Sequence, residues 1–277
     1  MQLHTLSLHS LSSSIPHFSS SPPPSFTPSR FIKFRTSHRE NLRYLKALGI
    51  VDADAKPRNL PLPDDVDRIL AAVDFFRSKG FSNADFPRLA FLAPYLFSPQ
   101  FDPAAVDPVF DFLATDVSAS PEESSRLILR CPALLFSNVQ YFLRPTLDYL
   151  HHLGLERLNS PTTLNAHLLN TRVDKLQKKM AFLRCIGLSY EQSARVCARM
   201  PAIFGYSIED NLRPKYEYLV WEMERSLDEL LKFPQYFAFS LNKRIVPRHL
   251  HLKQRNVSIP LNRMLLWGDQ KFYAKWK

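Results

Sequence analysis

Arginine and lysine recur along this 277-residue chain at fixed distances from a short apolar tag that a proline introduces. The tag follows Pro94 as Tyr-Leu-Phe-Ser, Pro132 as Ala-Leu-Leu-Phe-Ser, Pro201 as Ala-Ile-Phe and Pro234 as Gln-Tyr-Phe-Ala-Phe-Ser. A further copy, His167-Leu168-Leu169-Asn170-Thr171, stands behind Ala166 in place of the proline. Twelve residues after the tag heads come Arg144, Lys178 and Arg213, with Lys179 and Lys215 close by. Six residues before the heads lie Arg88, Arg126 and Arg195, and two before them lie Arg130, Arg199 and Lys232. Within a repeat these last two positions are four apart, hence on one face of a helix. Lys243, Arg244 and Arg248 continue the series toward the C-terminus. Cations in register along a chain suit a ligand with anions in register, and the phosphates of a nucleic acid are such a ligand.

Each set has an ordinary reading beside the functional one. Basic side chains late in a helix complement its C-terminal dipole and can simply be solvated. The positions twelve after the heads differ, because they are expected to open the first helices of successive repeats. Positive charge there opposes the dipole at roughly 0.3–1 kcal/mol per site, a cost that a bound phosphate would reverse. The tag aromatics Tyr95, Phe97, Phe136, Phe204, Tyr236 and Phe237 could stack on bases, but their place at a repeat junction makes them core.

Catalysis finds little support. Of six glycines four are expected helix stops, which leaves no Gly-rich phosphate loop. His151-His152 sits within a helix, and His249 and His251 have no cysteine or carboxylate at ligand spacing. No strand-turn-helix elbow holds a serine. The expectation is a binding protein without enzymatic activity, cofactor or metal.

The elements that must position the cations are clearest from Lys178 to Ser207. Met180, Leu183 and Ile186 recur at helical spacing until Gly187 and Leu188, a glycine stop. Ser189 with Gln192 has the spacing of a capping box and opens a second helix, which Pro201 ends by biasing Met200 away from helical geometry. Helix, glycine, capped helix, proline and tag make one unit, repeated at about 35 residues as in two-helix solenoids. Gly49, Gly80 and Gly154 mark other first-helix ends, and Val117-Ser118 replaces one. Ser82 with Asp85, Ser120-Pro121-Glu122-Glu123, Ser160-Pro161 and Ser226 with Glu229 mark second-helix starts.

Residues 1–38 read as a targeting segment, with repeated serines, a Pro-Pro-Pro run, late basic residues and no acidic residue before Glu40. Scarce early arginine favours chloroplast stroma or nucleoid over the mitochondrial matrix. Residues 39–63 then form a partial repeat and connector, 64–261 the solenoid, and 262–277 a basic, aromatic tail. The formal net charge is +10, and no apolar run reaches membrane length. Cys131, Cys185 and Cys197 suit a reducing compartment, the latter two as small buried hydrophobes.

The proline-headed tag, the Leu-x-x-Leu-Gly stop and the closing Lys243-Arg244-Ile245-x-Pro247-Arg248 together resemble the mTERF (mitochondrial transcription termination factor) family, over most of residues 41–277. That resemblance implies an all-α superhelical solenoid of two-helix repeats whose basic groove holds double-stranded DNA or structured organellar RNA. It also implies action in transcription termination or transcript processing and splicing, as a monomer on nucleic acid or with ribonucleoprotein partners. Two other readings share the period: a single-strand RNA reader of the pentatricopeptide kind, and a protein-binding scaffold of the tetratricopeptide or HEAT type.

Overall fold

The computed structural model describes residues 37–56 and 60–277, so the expected targeting segment lies outside it apart from Ser37 and His38. Every regular element among the described residues is helical. A lone helix α1 (His38–Ala47) precedes the first pair, α2 (Pro63–Ser78) and α3 (Phe86–Leu92). The pairs α4 (Asp107–Thr115) with α5 (Pro121–Arg130) and α6 (Arg144–His152) with α7 (Thr163–Leu169) follow. Next come α8 (Val173–Cys185) with α9 (Tyr190–Arg199), and α10 (Arg213–Glu217) with α11 (Asp228–Lys232). The chain closes on α12 (Val246–Lys253), α13 (Leu261–Leu266) and α14 (Asp269–Lys275). From one repeat to the next, α6 packs on α8, α5 on α7 and α9 on α11. First helices therefore form one layer of the solenoid and second helices the other.

Two backbone devices recur. First helices end on a left-handed residue: Gly49 (φ 66°), Gly80 (φ 92°), Gly154 (φ 85°) and Gly187 (φ 108°). Where glycine is missing, Ser118 (φ 57°), Glu224 (φ 52°) and Asn256 (φ 51°) take the same conformation. Ser118, rather than its neighbour Val117, is thus the substitute stop, while Val117 is buried. The second device precedes each tag proline. Ala93, Cys131, Met200 and Phe233 all adopt φ between −140° and −144° with ψ between 66° and 79°. A residue before proline avoids the helical region because the ring crowds it. Each second helix stops there and a short 3₁₀ turn carries the tag. Without the proline, α7 runs straight through Ala166 to Leu169.

A third device was not legible beforehand. Asn138 and Ser207 cap the first helices of repeats three and five one turn earlier than expected, and Ser240 caps that of repeat six. The opening turn there is wide, with bonds reaching five residues back, as from the Leu143 amide to the Asn138 carbonyl (3.0 Å) and from Leu212 to Ser207 (3.1 Å). Pro145, Pro214 and Pro247 follow these turns, and the wider turn accommodates a ring that would otherwise crowd the carbonyl four residues back.

Second-helix starts divide by chemistry. Ser120 with Glu123 and Ser189 with Gln192 form complete capping boxes, and Ser37 with Glu40 adds one on α1. Ser226 with Glu229 does not, because the Glu229 carboxylate is taken by Arg225 at 2.7 Å. Ser82 and Asp85 bond each other in a turn, and α3 starts only at Phe86. One apolar core runs from Leu45 to Phe272. The stretch expected as a C-terminal tail contributes Met264, Leu265 and Phe272 to it.

Gly80 illustrates how tightly the repeats seat. A Cβ there would lie 2.6 Å from the carbonyl oxygen of Pro121, at the start of the next second helix. Gly80→Ala is expected to destabilise the protein by about 1–3 kcal/mol, from backbone strain and the forced shift together. Gly205→Ala, with nothing within 4 Å, should stay within about 0.5 kcal/mol. Urea unfolding midpoints of the two variants check the contrast.

Candidate nucleic-acid interface

The structure sorts the fourteen candidate cations by what already holds them. Arg144, Lys178 and Arg213 are exposed and occupy the same place in three consecutive first helices. Counted from the cap, each is the sixth helical residue, so none stands at a helix start. The dipole cost expected for them is therefore absent, since it fades within the first turn. Contacts tie two of them to the helix before. Arg213 lies over the Phe182 ring at 5.6 Å, and Phe182 is one turn beyond Lys178 on α8. Arg144 reaches back to Asp116, just past α4, at 3.3 Å. Arg213 also pairs with Glu209 (2.8 Å), whereas Lys178 has no bonded partner among the described residues. At such exposed sites a carboxylate neighbour holds an arginine weakly and can be exchanged for another anion.

Arg88, Arg126 and Arg195 are exposed on second helices and make no hydrogen bond or ion pair among the described residues. Arg130 and Arg199 instead reach the next second helix. Arg130 donates to the Thr163 hydroxyl at 3.2 Å, and Arg199 donates to the carbonyls of Leu231 and Lys232, the latter at 3.0 Å. Cations on these last carbonyls cap α11 and complement its dipole. Lys232 and Lys243 have exposed side chains.

Four expected contacts turn inward, and here the expectation is corrected. Lys215 is 5% exposed, and its ammonium donates to Asn211 Oδ1 (2.8 Å) and the Phe237 carbonyl (2.6 Å). Arg248 is 1% exposed. It donates to the carbonyls of Met264 (2.5 Å) and Trp267 (2.7 Å), meets Asp269 at 2.5 Å and lies over the Phe272 ring. Lys179 donates to the Tyr206 carbonyl, and Arg244 to that of Trp267 (2.6 Å). Burial removes Lys215 and Arg248 from any surface, and the other two are half-buried. Burial also pushes the Lys215 and Lys179 ammonium groups below their ordinary pKa, because a charge loses water there.

These inward cations belong to a series that spacing alone did not separate. Fourteen residues after the tag heads stand Thr146, Lys215 and Arg248, all buried and each donating to a carbonyl in the later part of its own repeat. For Thr146 the acceptor is Thr171 at 3.0 Å. They tie a first helix to the tag or closing helix of the same repeat, two residues beyond the exposed row.

Among the remaining expectations, Phe97, Phe204, Tyr236 and Phe237 are core, while Tyr95 and Phe136 are exposed. Cys197 is buried, with its thiol pushed up to about 12 by desolvation, but Cys185 is exposed. His249 bonds the Tyr218 hydroxyl (2.8 Å) and His251 meets the Trp276 carbonyl (2.5 Å). Among the described residues no cluster of three or more His, Cys, Asp or Glu could hold a metal ion. None of their helices is long and apolar enough to cross a membrane.

Charge is divided along the array. Residues 122–277 carry 24 Lys and Arg against 14 Asp and Glu, whereas residues 37–121 carry 9 against 12. All the described net positive charge thus falls in the later repeats. An all-α repeat solenoid with a basic later half defines a class of helical-repeat proteins. Within that class the mTERF family model matches residues 122–273, more than half of the chain, and the protein belongs to the mTERF family.

Its relatives include the chloroplastic transcription termination factor MTERF2 of Arabidopsis thaliana, 38% identical over 98 residues, which are 35% of this chain and 15% of that protein. Chloroplastic MTERF4 of Zea mays is 30% identical over 100 residues, 36% of this chain and 20% of the relative. Mitochondrial MTEF18 of Arabidopsis thaliana is 32% identical over 105 residues, 37% and 18% of the two. The matched stretches thus span a fifth or less of these three relatives.

Arg248→Ala and Lys215→Ala should each lower stability by about 2–4 kcal/mol, since carbonyls they satisfy are left buried without a donor. Arg195→Ala should stay within about 0.5 kcal/mol. Denaturant unfolding checks all three. A pH series adds a sign. The Lys215 pKa is depressed from its ordinary 10.5, so folding releases protons and stability rises as pH climbs through the folded value toward 10.5. Lys215→Met should flatten that rise.

Proposed function

We propose that this protein binds double-stranded DNA or structured RNA and acts in the gene expression of a plant organelle, as a transcription termination or regulatory factor that does no catalysis. The observation that carries the reading is the exposed row Arg144, Lys178 and Arg213, one cation per repeat at one helical position, in the half of the chain with the basic excess. Phosphates spaced along a nucleic acid are the partner such a row can satisfy repeatedly, and each neutralised phosphate releases counterions. In the last repeat Val246 holds the equivalent position and Lys243 offers an exposed cation three residues before it, and Arg126 and Arg195 supply a second row on the other helices.

Relatives named chloroplastic, beside one named mitochondrial, support an organellar site of action, for which the chloroplast stroma or nucleoid is the proposed destination and the mitochondrial matrix the other. The protein works as a monomer on nucleic acid, with ribonucleoprotein partners where the task is processing or splicing.

Titration of the purified chain with duplex DNA, duplex RNA and single strands over a salt series tests this. Binding should weaken steeply with salt, and Lys178→Ala or Arg213→Ala should lower the slope by roughly one unit each, across all sequences. Salt-insensitive binding, or none to any of these ligands, would leave a protein-binding scaffold as the better reading.

A further inference from the structure

The earlier, acidic repeats hold a site that the nucleic-acid reading leaves unused. Tyr95 and Phe136 come from successive tags and are 56% and 55% exposed, with ring centroids 6.4 Å apart and planes at 62°. Phe101 stands edge-on to Tyr95 at 6.2 Å and 83°, and is held from behind by stacking on buried Phe76. The three rings border an open cavity of about 440 Å³ whose polar lining includes Gln100, Asp102 and Asn138. One Asp102 oxygen accepts from the Ala104 amide at 2.9 Å, and the other makes no bond among the described residues. No lysine or arginine lines the cavity.

An aromatic ring attracts a cation to its negative face, and the exposed rings of Tyr95 and Phe136 border this cavity. The Asp102 carboxylate adds a full negative charge at the same wall. A phosphate or a nucleotide would meet that carboxylate with no cation to offset it, in a segment where acids outnumber bases 12 to 9. We propose that this cavity, between the tags of the first two repeats, takes a lysine or arginine side chain from a basic segment of a partner protein. One end of the array would then dock protein while the other lies on nucleic acid. The proposal stands on the cavity and does not require the nucleic-acid reading.

The test is fluorescence anisotropy of the full chain with a labelled peptide in which four lysines alternate with serines. The same peptide with glutamine for lysine, and a labelled single-stranded oligonucleotide, serve as the other arms. Asp102→Asn keeps the acceptor for the Ala104 amide, Tyr95→Leu replaces an exposed ring, and Asp111→Asn removes an exposed charge elsewhere in the same segment. Circular dichroism establishes that all three fold. The lysine peptide should bind and the glutamine peptide should not. Asp102→Asn and Tyr95→Leu should each weaken binding about fivefold or more, and Asp111→Asn less than about twofold. Equal loss in Asp111→Asn, which signals diffuse attraction, would overturn the assignment. So would unchanged binding in the Tyr95 variant, or a loss there of oligonucleotide affinity in place of peptide affinity.

Discussion

Proline biases the residue ahead of it away from helical geometry, and the solenoid uses that bias to end its tag-bearing second helices. Four times the chain reaches φ near −142° and ψ near 70°, ends its second helix and turns an apolar tag into the core. With the left-handed stop on the first helix, the chain turns twice per repeat at defined points. Equivalent residues therefore return to equivalent places, whatever their side chains. The tags then bury residues such as Leu96, Leu134, Ile203 and Phe237, so the element that breaks the helix also supplies the apolar surface that seats its neighbour.

Because register is kept, a substitution at one position acquires a fixed environment. Arg144, Lys178 and Arg213, twelve after the heads, meet solvent, and Thr146, Lys215 and Arg248, fourteen after them, meet a carbonyl later in their own repeats. Arg213 and Lys215 illustrate this within one short helix: the first is exposed beside Glu209, the second lies in the core with its ammonium satisfied. Arg248 extends the second role to the end of the array, where it ties α13 and α14 to α12. Its partner Asp269 is held below the ordinary carboxylate range by the hydrogen bond from Arg248.

Much of the fold was legible from local chemistry. Glycine stops, proline stops and the capping boxes at Ser120 and Ser189 are decided within a few residues, and the structure places them as spacing predicts. Two features were not legible for physical reasons. Helix starts at Asn138 and Ser207 were hidden because Pro145 and Pro214 look like first-turn prolines, whereas a wide turn lets the helix begin earlier. The inward lysine and arginine were grouped with the outward row because they are neighbours in sequence. Residues two apart on a helix face nearly opposite sides, and that angle was the available signal. Glu229 shows a third limit: its box spacing was right, but Arg225 bonds the carboxylate first.

The central claim is that register turns separated cations into one face of the later repeats, along which a phosphate chain lies. Hydrogen exchange of backbone amides with and without a saturating duplex tests it most directly. The account predicts added protection concentrated in the first helices spanning 139–152, 173–185 and 208–222, with little change across 63–115. Protection confined to the earlier repeats, or spread without regard to helix layer, would contradict it.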